Sequence, residues 1–382
     1  MTHFPVVVLG VGSMGSAACY YLTNRGVKVL GLEQFDITHE FGSHAGQSRI
    51  IRKAYFEHPD YVPLLQRAYQ NWKELERDCH AQLYFPTGLL YAGKPDGTLI
   101  KGVKESAKLY GIEVNTLTES EVKSRFPQFV FPDGYDVLFE PDAGFLTPER
   151  SIKAFATKAK EKGAAIHTHE RVISWKQKDK LIYVVTNQQT YTCDTLIITT
   201  GAWADKFLPD LAPLLTVTRQ VLTWTIPHQP EQFQPDKFPC WLIDDHDQPG
   251  MYYGFPMLDE RKFGLPAGLK SAYHYPGMPT SVADVNREVS HEEAQQLTRA
   301  ISKYIPTSCR SIHQTKTCLY TNTPDEHFIL DFLPGSKNVI VAAGFSGHGF
   351  KFASVIGEIV SELVVNGKSN LPIGFLSATR FQ

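Results

Sequence analysis

The stretch TKTCLYTNTPDEHFILD, residues 315–331, sets one thiol, Cys318, among hydroxyls, aromatics and acids. Two chemistries are open to it. A buried thiol packs as a small apolar group and stays inert, whereas a thiol beside a bound cofactor can be joined to it covalently. The other candidate groups are mostly cations. In GSHAGQSRIIRKAY, Arg49 and Arg52 lie three apart and would share a face on a helical turn. In GLKSAYH, Lys270 and His274 lie four apart, so on a strand both would point to one side and into one cavity. In GFSGHGFKFAS, Gly344, Gly347 and Gly349 permit close backbone approach beside His348 and Lys351. Phe345 and Phe350 in the same stretch read as packing.

The best-defined chemistry is at the start. Residues 6–9 are a short apolar run suited to a strand buried on both faces. Gly10, Gly12 and Gly15 then spell GxGxxG, a helical spacing follows, Gly26 fits the helix end, and VKVLGLE closes a second strand on Glu33. Gly10 permits the tight turn, Gly12 lets the backbone approach a pyrophosphate, and Gly15 lets helix and strand pack closely. The helix N-terminus offers free N–H groups to the phosphates, and Glu33 can accept from ribose hydroxyls. With strand, helix and acid all in place this is a dinucleotide site, either FAD or NAD.

The elements that must position these groups follow from the rest of the chain. An amphipathic helix is expected over about 63–78, a strand at 88–93, a helix over about 148–162, strands at 165–167 and from 171, then a hairpin and a buried strand ending at Gly201. Residues from about 216 to 312 are rich in Pro, Tyr and Phe and alternate like antiparallel strands. KNVIVAAGFSGHGFKFASVIGEIVSELV returns to strand, Gly-rich turn and long helix. The pattern is α/β: a Rossmann-like dinucleotide-binding domain from residues 1–85, 146–215 and 318–382, interrupted twice by a mostly antiparallel-β substrate domain from 86–145 and 216–317. The active site belongs between them.

The totals exclude several classes. The 382 residues, 42% apolar, suffice for two domains with a real core. A formal net charge of −2 without charge runs argues against nucleic acid as a partner. The six cysteines show no CxxC spacing, so neither a zinc site nor a thioredoxin-like motif is expected, and no metal is expected elsewhere. The chain starts directly with a strand, without a secretory signal, and no apolar run approaches the roughly 18 residues of a membrane span. A reducing, cytoplasmic setting is the expectation.

Taken together, GxGxxG with Glu33, GSHAGQSRIIRKAY, TKTCLYTNTPDEHFILD and GFSGHGFKFAS resemble, in order and over essentially the whole chain, the monomeric sarcosine oxidase family of flavoproteins, to which N-methyltryptophan oxidase belongs. GHGFKFASVIGEI and the closing RFQ lean towards that second branch. The resemblance implies FAD, covalently attached through Cys318. It implies an oxidase of N-methyl amino acids giving the amino acid, formaldehyde and hydrogen peroxide. It implies that Arg52 and Lys351 bind the substrate carboxylate, with Tyr320 lining the same cavity, that Arg49 lies against the flavin, and that Lys270 activates oxygen. It also places His274 and Tyr253 at the substrate, and Gly347 and His348 near the flavin's pyrimidine end. The adjacent acids Asp325 and Glu326 are not needed by such a reaction. A monomer acting on a small amino acid, with oxygen as acceptor, follows. CWLIDDHDQPGMYYGFP and PMLDERKFGLPAGLK depart from the sarcosine oxidase pattern, so the substrate's side-chain pocket is the least defined part. The rival readings are oxidation of a primary amino acid such as glycine, which the Cys318 tether argues against, of pipecolate or a sugar-modified amino acid, and a flavin- or NAD-binding protein without oxidase activity.

Overall fold

The computed structural model describes residues 1–264, 266–275 and 277–382. The first strand, Thr2–Leu9, is buried only over its second half, where the apolar run lies. It leads through the glycine turn into the helix Ser13–Asn24, and the chain returns as the strand Val29–Leu32, parallel to the first with Val6 opposite Val29. Gly15 is required here. A Cβ on it would lie 1.8 Å from the Gly10 carbonyl oxygen and 2.7 Å from Thr199 Oγ1, so only hydrogen allows this approach of helix to turn.

Five parallel strands form the centre of the first sheet, in the order Ala165–His167, Val29–Leu32, Thr2–Leu9, Thr190–Ile198 and Val339–Ala343, with Ile329–Phe332 antiparallel at the edge. The long strand Thr190–Ile198 is shared along its length: residues 190–193 pair with the hairpin Val172–Lys178 and Leu181–Thr186, and residues 196–198 pair with Val339–Ala343. One layer of helices, Ser13–Asn24, Tyr61–Cys79, Pro148–Glu161 and Ala353–Asn366, covers one face with a continuous apolar core.

The second sheet runs Ser311–Asn322, Thr216–Ile226, Leu269–His274, Met251–Gly254, Cys240–Asp244, Leu89–Gly93, Asp136–Glu140, Asn115–Leu117. All neighbours are antiparallel except Cys240–Asp244 with Leu89–Gly93. Side chains alternate between faces, so register tells which residues share one. Gln220 lies opposite Cys318, Leu222 opposite Ala272, Ala272 opposite Tyr253, Tyr253 opposite Leu242 and Leu242 opposite Tyr91. By the two-residue period Lys270, His274 and Tyr320 join that face. The other face carries Trp241, Ile243, Tyr252 and Leu269 and packs on the helix His291–Ser302 and a cluster of phenylalanines.

Two readings of the sequence change. Arg49 and Arg52 are not on a helical turn: residues 49–51 form a strand, antiparallel to Gly144–Leu146 and joined by Tyr84–Phe85 in a small third sheet. The β-branched pair Ile50 and Ile51 suits that extended backbone. And the stretch expected to be all strands contains the helix His291–Ser302, started by a capping box in which Ser290 Oγ accepts from Glu293 N–H and the Glu293 carboxylate accepts from Ser290 N–H. Among the described residues no helix is long and apolar enough to cross a membrane.

Gly15→Ala should cost at least about 2 kcal/mol in chemical denaturation, because backbone must move to admit the methyl group. The same substitution at Gly26, where a Cβ meets nothing within 4 Å but φ is +74°, should cost less, about 1 kcal/mol. Equal effects would show that the turn is not close-packed.

Candidate active site

A cavity of about 350 Å³ runs between the two large sheets, from the glycine turn and Glu33 to His274, Tyr320 and Lys351. At the first end, the Glu33 carboxylate accepts from the backbone N–H groups of Val11 (3.0 Å) and Phe35 (3.1 Å), which fixes it at the end of its strand. Burial pushes its pKa up and these donors oppose that. A Cβ on Gly12 would meet only His44 Nδ1, at 3.9 Å, so the turn is open towards the cavity. Thr200 Oγ1 and His44 Nε2 are buried polar atoms of the cavity wall with no hydrogen-bond partner among the described residues. An open glycine cradle, an acid at the second strand's end and orphaned polar atoms between them fit a dinucleotide.

At the far end the cations gather. Arg52 is buried, and its Nη2 donates to both Glu57 carboxylate oxygens, at 2.6 and 2.7 Å, while Nη1 donates to the Ala54 carbonyl. Its guanidinium carbon lies 4.2 Å from the Tyr55 ring centroid and 4.5 Å from that of Phe56. Burial acts to raise the Glu57 pKa, but Arg52, with His348 and Lys351 behind it, draws it down to about 2. Arg52 and Glu57 therefore form an ion pair at neutral pH. Lys351 has no such acid in contact: its Nζ donates to the His348 carbonyl at 2.7 Å and lies 3.5 Å from the Tyr55 hydroxyl. Burial, then Arg52, pushes its pKa down to about 7, against the pull of Glu57.

His348 and His274 are both neutral at pH 7. Burial lowers His348 to about 3 and His274 to about 4. His348 Nε2 lies 3.0 Å from the Glu326 carbonyl, which only accepts, so the ring proton is on Nε2. Nδ1 is then bare and accepts from the Tyr55 hydroxyl at 2.6 Å. His274 Nδ1 is 3.2 Å from the Tyr320 hydroxyl. Gly347, with φ +75°, is held to glycine by Tyr320: a Cβ there would lie 2.3 Å from that ring.

Lys270 and Arg49 share one loop. Lys270 Nζ donates to the carbonyls of Gly46 (2.6 Å) and Ser48 (2.7 Å), and the N–H groups of Gly46 and Gln47 donate to Glu149 Oε1 on the opposite side. Burial and then Arg49 push the Lys270 pKa well down. Arg49 donates to the carbonyls of Ser43, Ala45 and Ser48. Glu57, the partner Arg49 could have had, is taken by Arg52.

The cavity wall brings together Gly10, Gly12, Glu33, Arg49, Arg52, Tyr253, His274, Tyr320, Gly347, His348 and Lys351, and leaves three expected residues out of it: Gly15, which packs against the Gly10 carbonyl, Lys270 and Cys318. Lys270 shares a sheet face with His274 but lies beneath residues 46–48. Cys318 is 1% exposed and sits under the wall that its neighbours Leu319, Tyr320 and Thr321 form. Burial raises its pKa, with Arg49 and Lys270 opposing. Glu57, open in the sequence as an ion-pair partner of Arg49, pairs with Arg52 instead. Tyr55 and Glu149 were missed, and so was Leu242, which lies opposite Tyr253 on the adjacent strand. None of these stands in a spacing that announces it.

The family described as DAO, FAD dependent oxidoreductase, matches residues 5–363. The chain is 38% identical to the monomeric sarcosine oxidase of Bacillus sp. (strain B-0618), over 99% of this chain and 96% of that one. It is 31% identical to the N-methyl-L-tryptophan oxidase of Yersinia pestis (strain Pestoides F), over 99% and 100%. The lean of the C-terminal motif towards the second branch is not reflected in these identities. Among solved structures, the L-proline dehydrogenase of P. horikoshii shares the fold with a TM-score of 0.86 at 24% identity, over 100% of this chain and 98% of that one.

The site makes a pH prediction. The groups facing the Lys351 ammonium are Arg52, Glu57, Arg49, the Tyr55 hydroxyl and neutral His348. Below about pH 7 the ammonium is charged and beyond the Arg52–Glu57 pair leaves a positive site; above it the charge is lost. Acetate, titrated into the flavin-loaded protein and followed by flavin absorbance, should bind with a Kd that rises about tenfold from pH 6 to pH 8. A Kd flat over that range would remove Lys351 from the anion site.

Proposed function

We propose, from the premise that the chain belongs to the DAO family of FAD-dependent oxidoreductases, that it is an oxidase of N-methyl amino acids, of the sarcosine or N-methyl-L-tryptophan type. The products are the demethylated amino acid, formaldehyde and hydrogen peroxide. The observation that carries this reading is the far end of the cavity: a neutralised Arg52–Glu57 pair beside a lone Lys351, facing Tyr253, Tyr320 and neutral His274. One net positive charge in an aromatic, buried end suits one carboxylate on a small substrate, and the relatives named for N-methyl amino acids support the rest.

Gly10, Gly12, Gly15 and Glu33 would hold the adenosine half of FAD, and Gly347 and His348 would border its ring. The flavin, when bound, supplies the acceptor for two electrons and passes them to oxygen. The chain's own residues do the positioning. Arg52 and Lys351 take the carboxylate. Burial and these cations lower the pKa of an adjacent amine, so the free base, which alone has a lone pair to give, is favoured. His274 and Tyr320, joined by their hydrogen bond, and Tyr253, whose hydroxyl burial holds un-ionised up to about pH 12, wall the amine without adding charge. Arg49 places positive charge along the flavin side, and the Lys270 amino group, when protonated, would stabilise the charge that develops on oxygen.

The covalent tether through Cys318 is part of the proposal. Its support is position: the strand Ser311–Asn322 passes along the cavity, and Arg49 and Lys270 favour the thiolate. Cys318 would supply the sulfur of that bond, and oxygen, the enzyme's own acceptor, would take up the two hydrogens lost in forming it as hydrogen peroxide. We further assign residues 1–85, 146–215 and 318–382 to the FAD-binding domain and 86–145 and 216–317 to the substrate domain; the 317/318 boundary falls inside the strand Ser311–Asn322, which pairs along its length in the second sheet. A monomeric, cytoplasmic enzyme completes the reading.

Anaerobic mixing of the purified protein with sarcosine and, separately, N-methyl-L-tryptophan should bleach the flavin absorbance. The faster substrate tells whether the pocket is small or large. Bound flavin left unbleached by both would overturn the N-methyl amino acid assignment and put pipecolate next. For the tether, acid precipitation should leave the flavin with the parent protein and release it from Cys318→Ser; parent flavin in the supernatant would remove it.

A further inference from the structure

Tyr55 is fully buried and lies behind Arg52 and Phe56, which line the cavity, so it touches no substrate. Yet it meets three polar members of the far end, Arg52, His348 and Lys351. Its ring lies 4.2 Å below the Arg52 guanidinium and 5.2 Å from Lys351 Nζ. Its hydroxyl lies 2.6 Å from His348 Nδ1 and 3.5 Å from Lys351 Nζ. A phenol has one proton to give and lone pairs to receive with. Because His348 carries its proton on Nε2, the Tyr55 proton goes to Nδ1, and the oxygen lone pairs are left for the ammonium. Lys351 then spends one N–H on the His348 carbonyl and turns a second to Tyr55; among the described residues the third has no partner.

The direction of the hydroxyl is itself anchored. The Glu326 carbonyl that fixes the His348 proton belongs to a residue at φ +60°, an uncommon conformation for a side chain of that size. The turn around it is clamped: Arg380 donates to both Asp325 oxygens, at 2.8 and 3.0 Å, and to the His327 carbonyl at 2.7 Å. Glu326 thus acts through its backbone carbonyl and Asp325 through its ion pair with Arg380, not as an acid/base pair.

We propose that Tyr55 is the positioning residue of the carboxylate site: its ring seats the Arg52 guanidinium, and its hydroxyl, oriented by His348, aims the Lys351 ammonium into the cavity. This rests on the reading of that end as the site of an anionic substrate. Tyr55→Phe keeps the ring and removes only the hydroxyl, so it acts on Lys351 and spares Arg52.

The test is a double-mutant cycle on the flavin-loaded enzyme: parent, Tyr55→Phe, Lys351→Met and the double variant. Acetate Kd is read from flavin absorbance, KM and kcat from the N-methyl amino acid that bleaches the flavin, and flavin content and Tm serve as controls. Tyr55→Phe should raise acetate Kd and KM about 5- to 20-fold and change kcat less than about twofold, as for one lost hydrogen bond to a charged group. Its alkaline loss of acetate binding should begin at a lower pH, since the ammonium has lost an acceptor. In the Lys351→Met background the same substitution should change Kd less than about twofold. Equal fold-effects in both backgrounds, or no effect in the parent, would overturn the proposal. Should Tyr55→Phe fail to hold flavin, 3-fluorotyrosine incorporated at position 55 weakens the oxygen as an acceptor; unchanged acetate affinity there would overturn it too. A parent enzyme that neither binds acetate nor is bleached would instead refute the anion-site reading on which the proposal stands, and the proposal with it.

Discussion

A buried amino group without a carboxylate in contact has to be satisfied by the chain, and among the described residues Lys270 is such a group. It is 1% exposed, and the carbonyls of Gly46 and Ser48 do the work of water. The Gly46 carbonyl stays in place because Glu149 holds the Gln47 N–H of the same peptide, and the Gly46 N–H before it, from the other side. The loop is thus stretched between a lysine on the second sheet and an acid at the start of the helix Pro148–Glu161 over the first. Removing one partner of such an arrangement leaves the other buried and unpaired, which costs more than the contact itself is worth. Arg49 then inherits its position, since it too is held by the carbonyls of that loop.

The two cations at the far end solve the burial of charge differently. Arg52 is paired with Glu57 and sits on two aromatic faces, so its positive charge is largely cancelled within the wall. Lys351 is left with a carbonyl and a hydroxyl, so its charge is both depressed by burial and available. An incoming carboxylate supplies what the wall withholds. The polarity of the site is therefore set by where Glu57 goes. Had it paired with Arg49, the free cation would lie on the loop side and not beside Lys351.

Much of this was readable in advance, for physical reasons. GxGxxG with Glu33 is legible because turn, phosphate approach and helix packing each demand a specific residue type. The shared face of Lys270 and His274 follows from strand period. What the period does not give is depth, and so it did not show that residues 46–48 would cover Lys270 or that Cys318 would lie beneath its neighbours. The capping box at Ser290 and Glu293 was present in the sequence and went unread, because the surrounding Pro, Tyr and Phe content spoke for strands. Three-residue spacing misled at Arg49 and Arg52, since it has meaning only once a helix is established. Tyr55 carries no signal at all, because its importance comes from groups hundreds of residues away, His348 and Lys351; Glu57 counts because Arg52, a few residues before it, turns back onto it.

The segment that bears both guanidiniums belongs to neither large sheet. The strand Arg49–Ile51 pairs only with Gly144–Leu146 in the small sheet, so main-chain pairing alone would leave the cations loosely set relative to the cavity. Two acids close the gap. Glu149 takes the N–H groups of residues 46 and 47, and Glu140, fully buried at the end of a strand of the second sheet, takes those of Lys53 and Ala54 while accepting from the Tyr91 hydroxyl at 2.6 Å. One acid stands before the strand and one after it, each carried by a different layer. The spacing of the two layers is thereby written onto one short peptide, and any movement of one sheet against the other is felt first at Arg49 and Arg52. A pocket built this way couples the fit of the flavin side to the fit of the carboxylate side, because both are read through the same few residues between two carboxylates, Glu140 buried and Glu149 half-buried.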